Sequence, residues 1–176
     1  MEKSQLRICM NEELNLPTPY KVFKVSCDSE PFYQFTTKND TVYDVVFISC
    51  ENYFPDNTVC KDRVFMLNFD ISKEVVGKRT YDANIEITIA GIIISFFEGV
   101  ENVMLFVCDS TDSKQRNRKI TFNKWYNNHK EKLKILKIDF SKPYYISIIS
   151  REDNQLLPQL HELLKVQIEE FSEITK

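Results

Sequence analysis

An α+β fold is predicted by three features of this 176-residue chain. Its first half holds four runs of aromatic and β-branched residues that alternate in part, the pattern of strands that bury one face. At Tyr81-Asp82 the apolar period lengthens to that of a helix, and the last segment, Leu156 to Ile174, is again helical and amphipathic. The order implied is ββββαβαββα: an antiparallel four-strand meander, then helix-strand-helix, two further strands and a C-terminal amphipathic helix. One domain over residues 1–176 is expected, with 1–18 a loosely attached N-terminal segment. At this length a domain buries roughly 70% of the surface its unfolded chain would expose.

The first three strands are Tyr20 to Val25, Phe32 to Thr37 and Val42 to Ile48. Lys38-Asn39-Asp40-Thr41 lies between the last two and supplies Asn and Asp, which accept turn geometry, so these strands form a hairpin. The fourth strand, Arg63 to Ile71, follows a polar loop around Asn52 to Lys61. Asp82 is a fitting N-cap for the first helix, in which Ile85, Ile89, Ile92, Ile93, Phe96 and Phe97 share a stripe opposite Thr88, Gly91, Ser95 and Glu98. Its density in β-branched residues also suits a strand, and the lengthened period decides for helix. After Gly99 comes a buried strand, Val103 to Cys108. Asp112 with Gln115 makes a capping-box-like start to the second helix, which carries Phe122, Trp125, Tyr126 and Leu133 on one face. Ile135 to Phe140 and Tyr144 to Ile149 pair around Ser141-Lys142-Pro143, and the closing helix places Leu160, Leu163, Leu164, Ile168 and Phe171 on its apolar side.

Composition excludes several classes of protein. Three glycines and six prolines leave no glycine-rich phosphate loop and no long flexible linker. The N-terminal residues are interrupted by Asn11, Glu12 and Glu13, unlike a secretory signal, so export is not expected. The most apolar stretch, Ile85 to Phe97, is too short and polar for a bilayer needing about 20 residues, and no membrane partner is expected. The five cysteines, at 9, 27, 50, 60 and 108, form neither a C-x-x-C pair nor a zinc set. They read as small buried hydrophobes in a reducing cytoplasm, with no closed disulfide framework.

Tyr81-Asp82, Ile85, Thr88-Ile89 and Phe96-Phe97, then Val107-Cys108-Asp109-Ser110, Asp112, Gln115, Arg118 and Phe122-Asn123-Lys124-Trp125-Tyr126, resemble an uncharacterised bacterial family, domain of unknown function 6169. Phe35 to Asn39 and Tyr53-Phe54-Pro55 are also similar, extending the resemblance over about Tyr20 to Ile149. The C-D-S-x-D-x-x-Q-x-x-R element followed by F-x-x-W is its specific part. The resemblance implies a small intracellular protein and no established activity, and leaves the closing helix outside it.

A net charge of −3 conceals an asymmetry. Lys114 to Lys137 holds nine basic residues and one acidic one, Glu131, while the rest of the chain carries 14 basic and 25 acidic residues. A basic ridge of Lys114, Arg116, Arg118, Lys119, Lys124 and Lys130 suits a nucleic acid or an acidic protein face, although a lysine-rich outer helix face most often serves solubility. A second candidate is a pocket of Asp109, Ser110, Asp112, Gln115 and Arg118, where amides at a helix start meet an anion. Its alternative is an internal ion pair of Arg118 with Asp109 or Asp82.

Catalysis has little support. The two histidines, His129 and His161, share no ligand spacing, and His129 lies 19 positions along the chain from Ser110 and 21 from Cys108. No catalytic residue, metal ligand or cofactor is assigned. The expected function is a non-enzymatic binding or regulatory protein of the bacterial cytoplasm, engaging an anionic partner through the basic helix. The alternatives are a small enzyme acting on a phosphate-containing substrate at the 109–118 turn, and a toxin-antitoxin or phage-defence component. A homo-oligomer, the acidic closing helix of one copy on the basic ridge of another, is also compatible with the charges.

Overall fold

The computed structural model describes residues 9–27, 30–56, 58, 61–74, 82–108, 115–140, 146–159, 161–163 and 165–166. In chain order the elements are β1 (Met10–Leu14), β2 (Val22–Ser26), β3 (Phe32–Thr36), β4 (Val42–Ser49), β5 (Val64–Lys73), α1 (Ala83–Phe96), β6 (Val103–Val107), α2 (Gln115–Leu133), β7 (Ile135–Phe140) and β8 (Ile146–Arg151). Residues 157–159, 161–163 and 165–166 are helical and open the closing segment. The strands lie in the order β1-β2-β3-β4-β5-β6-β8-β7, and the fold is α+β. The expected order holds apart from β1. Its sequence, Met-Asn-Glu-Glu-Leu, buries only Leu14 in part, so this edge strand carries no alternation from which it could be read.

Contacts divide the chain into two units, Met1–Ile48 with Asn68–Ser95, and Ser49–Leu67 with Phe96–Lys176. In the first, β1, β2, β3 and β4 pair antiparallel, with Val22 opposite Phe35 and Phe35 opposite Tyr43. Val22, Phe35 and Val45 are almost fully buried on one face, where the rings of Tyr20, Phe35 and Tyr43 stack at centroid distances of 6.0 and 5.2 Å. The β3–β4 turn closes with the Thr37 N–H donating to the Thr41 carbonyl (2.9 Å) and the Asp40 N–H to the Thr37 carbonyl (3.0 Å). Asp40 takes a left-handed φ of 58°, a conformation Asp tolerates, which bears out the expected hairpin.

Helix α1 begins as expected at Asp82, whose Oδ1 accepts the Asn84 N–H at 3.0 Å while its Oδ2 accepts the Tyr20 hydroxyl at 2.6 Å. The Tyr20 hydrogen bond, opposed by desolvation and aided by the Asn84 amide, holds the Asp82 carboxyl below the usual carboxylate range. The side of α1 opposite the apolar stripe is mixed: Thr88 is fully buried and Gly91 is buried as well, Ser95 is half-buried, and Glu98, just past the helix, is exposed. Thr88 satisfies its hydroxyl by donating to the Asn84 carbonyl at 2.7 Å, so it can share the interior with Ile89 and Ile92. Gly91 serves close approach, because a Cβ there would overlap the methyl group of Thr18. Thr18 is itself held by donating from Oγ1 to the Tyr20 carbonyl at 2.7 Å.

In the second unit, β6 pairs parallel with β5 through Val64 to Met66 and antiparallel with β8, which pairs antiparallel with β7. One face gathers Val64, Val103 and Ile148 with Cys50, Phe54 and Leu157, and packs Leu105, Leu136, Ile138 and Phe140 against them. The other face meets α2, where Phe122 stacks on Phe106 at 3.8 Å between centroids and 13° between planes. Asn154, 5% exposed, joins β8 to the closing segment: its Nδ2 donates to Ser150 Oγ (2.7 Å) and the Glu101 carbonyl (3.1 Å), and its Oδ1 accepts the Leu156 N–H (2.9 Å). Leu163, expected on the apolar side of the closing helix, is 38% exposed.

The cysteines require a correction. Cys9 and Cys27 form a disulfide, whereas Cys50 and Cys108 are buried thiols as expected, and Cys60 lies outside the described residues. Met10 pairs with Ser26, so the next cross-strand position places Cys9 beside Cys27, with Cα atoms 4.6 Å apart. The bond follows from the register of β1, the strand that the sequence left unread.

Candidate anionic-partner surface on helix α2

Gln115–Leu133 forms a helix although its composition is polar, because Phe122 is buried and Trp125, Tyr126 and Leu133 are half-buried on one side, as expected. The opposite arc exposes Arg116, Ile120, Thr121, Lys124, Asn127, Asn128, Glu131 and Lys132. Arg116 and Lys132 are sixteen positions apart, so the arc runs about 24 Å along the helix axis. Ile120, 58% exposed, sits one turn from both Arg116 and Lys124. Lys134, with φ 48°, leads out of the helix and is exposed.

The ridge is therefore narrower than the charge count suggested. Arg116 and Lys124 face solvent, but Lys119 and Lys130 are half-buried on the flanks. Lys119 places its charge near Asp139. Lys114 lies outside the described residues, as do Asp109, Ser110 and Asp112 of the expected pocket. Gln115 and Arg118 fall on the backbone of α2, and their side chains are likewise outside the description.

Beneath the helix lies a polar cluster that the sequence did not reveal. Lys137 and Asp139 alternate on β7 and so share a face, and pairing places Ser147 directly opposite Asp139. The Lys137 ammonium donates to Asp139 Oδ1 (2.9 Å) and Oδ2 (2.7 Å) and to Asn123 Oδ1 (2.6 Å). It also stands 5.4 Å from the centroid of the Tyr126 ring. Ser147 donates to Asp139 Oδ1 at 2.6 Å, and the Tyr126 hydroxyl donates to the Ile135 carbonyl at 3.2 Å. Burial raises the Asp139 carboxyl, but the Lys137 and Ser147 hydrogen bonds outweigh it and leave the group below the usual carboxylate range.

This chemistry fastens a helix and does not activate a nucleophile. The Ser147 proton points at a carboxylate whose basicity is already reduced, and Lys137 directs its donors to Asp139 and Asn123. Lys137 consequently belongs to the packing between α2 and β7, and its positive charge is subtracted from the outer ridge. Signals for the cluster exist in the sequence only as the i, i+2 pair Lys137/Asp139, which acquires meaning once the β7–β8 register is known.

Residues 81–165 match a family of unknown function, DUF6169. The match takes in α1, β6, α2, β7, β8 and the start of the closing segment. It begins later than the resemblance seen in the sequence and reaches into the closing segment, which that resemblance had left out. No curated protein matches the chain. Among the described residues, no helix is long and apolar enough to cross a membrane.

Proposed function

We propose that the chain is a non-enzymatic binding or regulatory protein of the bacterial cytoplasm, and that the outer face of α2 engages an anionic partner. The observation that supports this reading is the exposure of Arg116, Lys124 and Lys132 along one helix whose exposed arc holds a single carboxylate, Glu131. Cations spread over about 24 Å attract a polyanion over the range of a Debye length and lose that attraction as salt rises. Ile120 in their midst favours an acidic protein segment over a phosphate backbone, because an exposed apolar side chain gains from burial against another side chain and nothing from a phosphate.

The test is a fluorescence-anisotropy titration at several salt concentrations. The probes are labelled single- and double-stranded RNA and DNA, and a labelled acidic amphipathic peptide built from Glu and Leu. Binding that falls steeply with salt and is lost in Arg116→Glu/Lys124→Glu/Lys132→Glu supports the surface. Loss of peptide binding alone in Ile120→Asp identifies the acidic segment as the partner class. Equal binding by the triple variant, or no binding of any probe at low salt, overturns the reading.

A further inference from the structure

We infer that the Cys9–Cys27 disulfide is a reversible latch that holds β1 on the edge of β2, so that thiol redox state decides which strand forms that edge. Three observations carry this. First, among the described residues β1 has little side-chain anchorage: Met10 to Glu13 are exposed, Leu14 is half-buried, and the Glu13–Lys21 ion pair (2.9 Å) lies at the surface. Second, the two ends of the strand are fastened differently. Beyond Leu14 the chain is fixed by Thr18 against Gly91 and by Tyr20 on Asp82, whereas at the Met10 end, among the described residues, the disulfide is the cross-link. Third, Cys9 is exposed and Cys27 is half-exposed, so an external thiol can reach the bond, unlike the buried Cys50 and Cys108.

The chemistry balances with a low-molecular-weight thiol such as glutathione. Its thiolate attacks one sulfur of the Cys9–Cys27 bond, forming a mixed disulfide and releasing the other cysteine as a thiolate that takes up a proton. A second glutathione thiolate displaces the first cysteine, which also takes up a proton, and leaves as oxidised glutathione. Two electrons pass to the protein sulfurs, and oxidised glutathione reverses both steps. With the bond open, β1 is held by its backbone ladder and peels from the Cys9 end. The acidic guard of Glu12 and Glu13 is then withdrawn from the sheet edge, and the apolar strand β2, Val-Phe-Lys-Val-Ser, presents unpaired amides and carbonyls.

Hydrogen-exchange mass spectrometry on the full chain tests this, in oxidised and in reduced glutathione, with alkylation to read the thiols. The expected result is a single reversible disulfide between Cys9 and Cys27. Exchange at residues 10–14 and along β2 should accelerate by roughly tenfold or more on reduction, while α1 and β6 to β8 are unchanged. Cys9→Ser should show the fast pattern in both buffers. The inference is overturned if both cysteines remain alkylatable in oxidised glutathione, if reduction leaves β1 exchange unaltered, or if it accelerates exchange in every element alike.

Discussion

Removing either partner of the Lys137–Asp139 pair should destabilise the protein, and the two losses should be unequal. The side chain of Lys137 is 8% exposed and that of Asp139 is 39% exposed. Asp139→Ala leaves a largely buried ammonium with Asn123 as its remaining acceptor among the described residues. Breaking a buried pair in this way costs about 3–5 kcal/mol, and the partial exposure of Asp139 brings the expectation down to about 2–3 kcal/mol. Lys137→Met keeps an apolar stem of similar length and leaves a carboxylate that solvent reaches and Ser147 still serves, a loss of about 1 kcal/mol. Because the charges compensate each other, the double variant should fall short of the summed losses by about 1–2 kcal/mol. Urea unfolding followed by Trp125, the sole tryptophan and a residue of α2, reads these differences as midpoint shifts, on the order of 1 M for Asp139→Ala. The folded Asp139 carboxyl titrates below its unfolded value, so its contribution is fully present above about pH 4 and is lost as pH falls through the folded value. The deficit of Asp139→Ala should accordingly shrink in acid. A Lys137→Met loss equal to or larger than that of Asp139→Ala, or strict additivity in the double variant, would refute the placement of the buried charge.

Two further outcomes follow from backbone geometry. Gly91→Ala should lower stability by about 1–3 kcal/mol although alanine is the better helix former, because the new methyl meets the hydrogen-bonded, β-branched Thr18; thermal unfolding would measure it, and a rise in Tm would show that the loop yields freely. Lys134→Gly should stabilise by about 0.5–1 kcal/mol, since the left-handed φ of 48° after α2 suits glycine and the hydrogen bond from the Glu152 amide to the Lys134 carbonyl is retained. Its check is the same urea titration, where an unchanged or lower midpoint counts against strain at this position.

What could be read in the sequence depended on whether the signal was local. Strands β2, β3 and β4 announced themselves through residues such as Val22, Phe35 and Val45, which had to be apolar to be buried, and Asp82 marked its helix because a cap acts within one turn. Strand β1 had no such mark, since an edge strand that buries a single leucine in part needs only backbone pairing. The disulfide was hidden for the same reason: Cys9 and Cys27 become neighbours only through a register. The charge run on α2 was legible as composition, but its division into exposed Arg116 and Lys124, flanking Lys119 and Lys130, and interior Lys137 required the helix and β7 to be in place. Thr88 and Gly91, opposite the apolar stripe in the sequence, are buried because one hydroxyl bonds to the preceding turn and one glycine admits a loop.

The interleaving of the two units along the chain decides how the molecule can be dissected. A cut after Ser95 completes the first unit but leaves Cys50, Phe54 and Val64 attached to it without Val103, Ile148 and Leu157, the residues they pack against. A fragment spanning 81–165, the natural choice from the family match, has the opposite defect: it keeps β6 and lacks Val64 to Met66, the parallel neighbour that covers its edge. Such a fragment would expose an unpaired, apolar strand and be prone to aggregate. Expression trials and deletion mapping therefore should retain residues 49–67 whenever the C-terminal half is to be studied, joined by a short linker across the excised stretch where the first unit is left out.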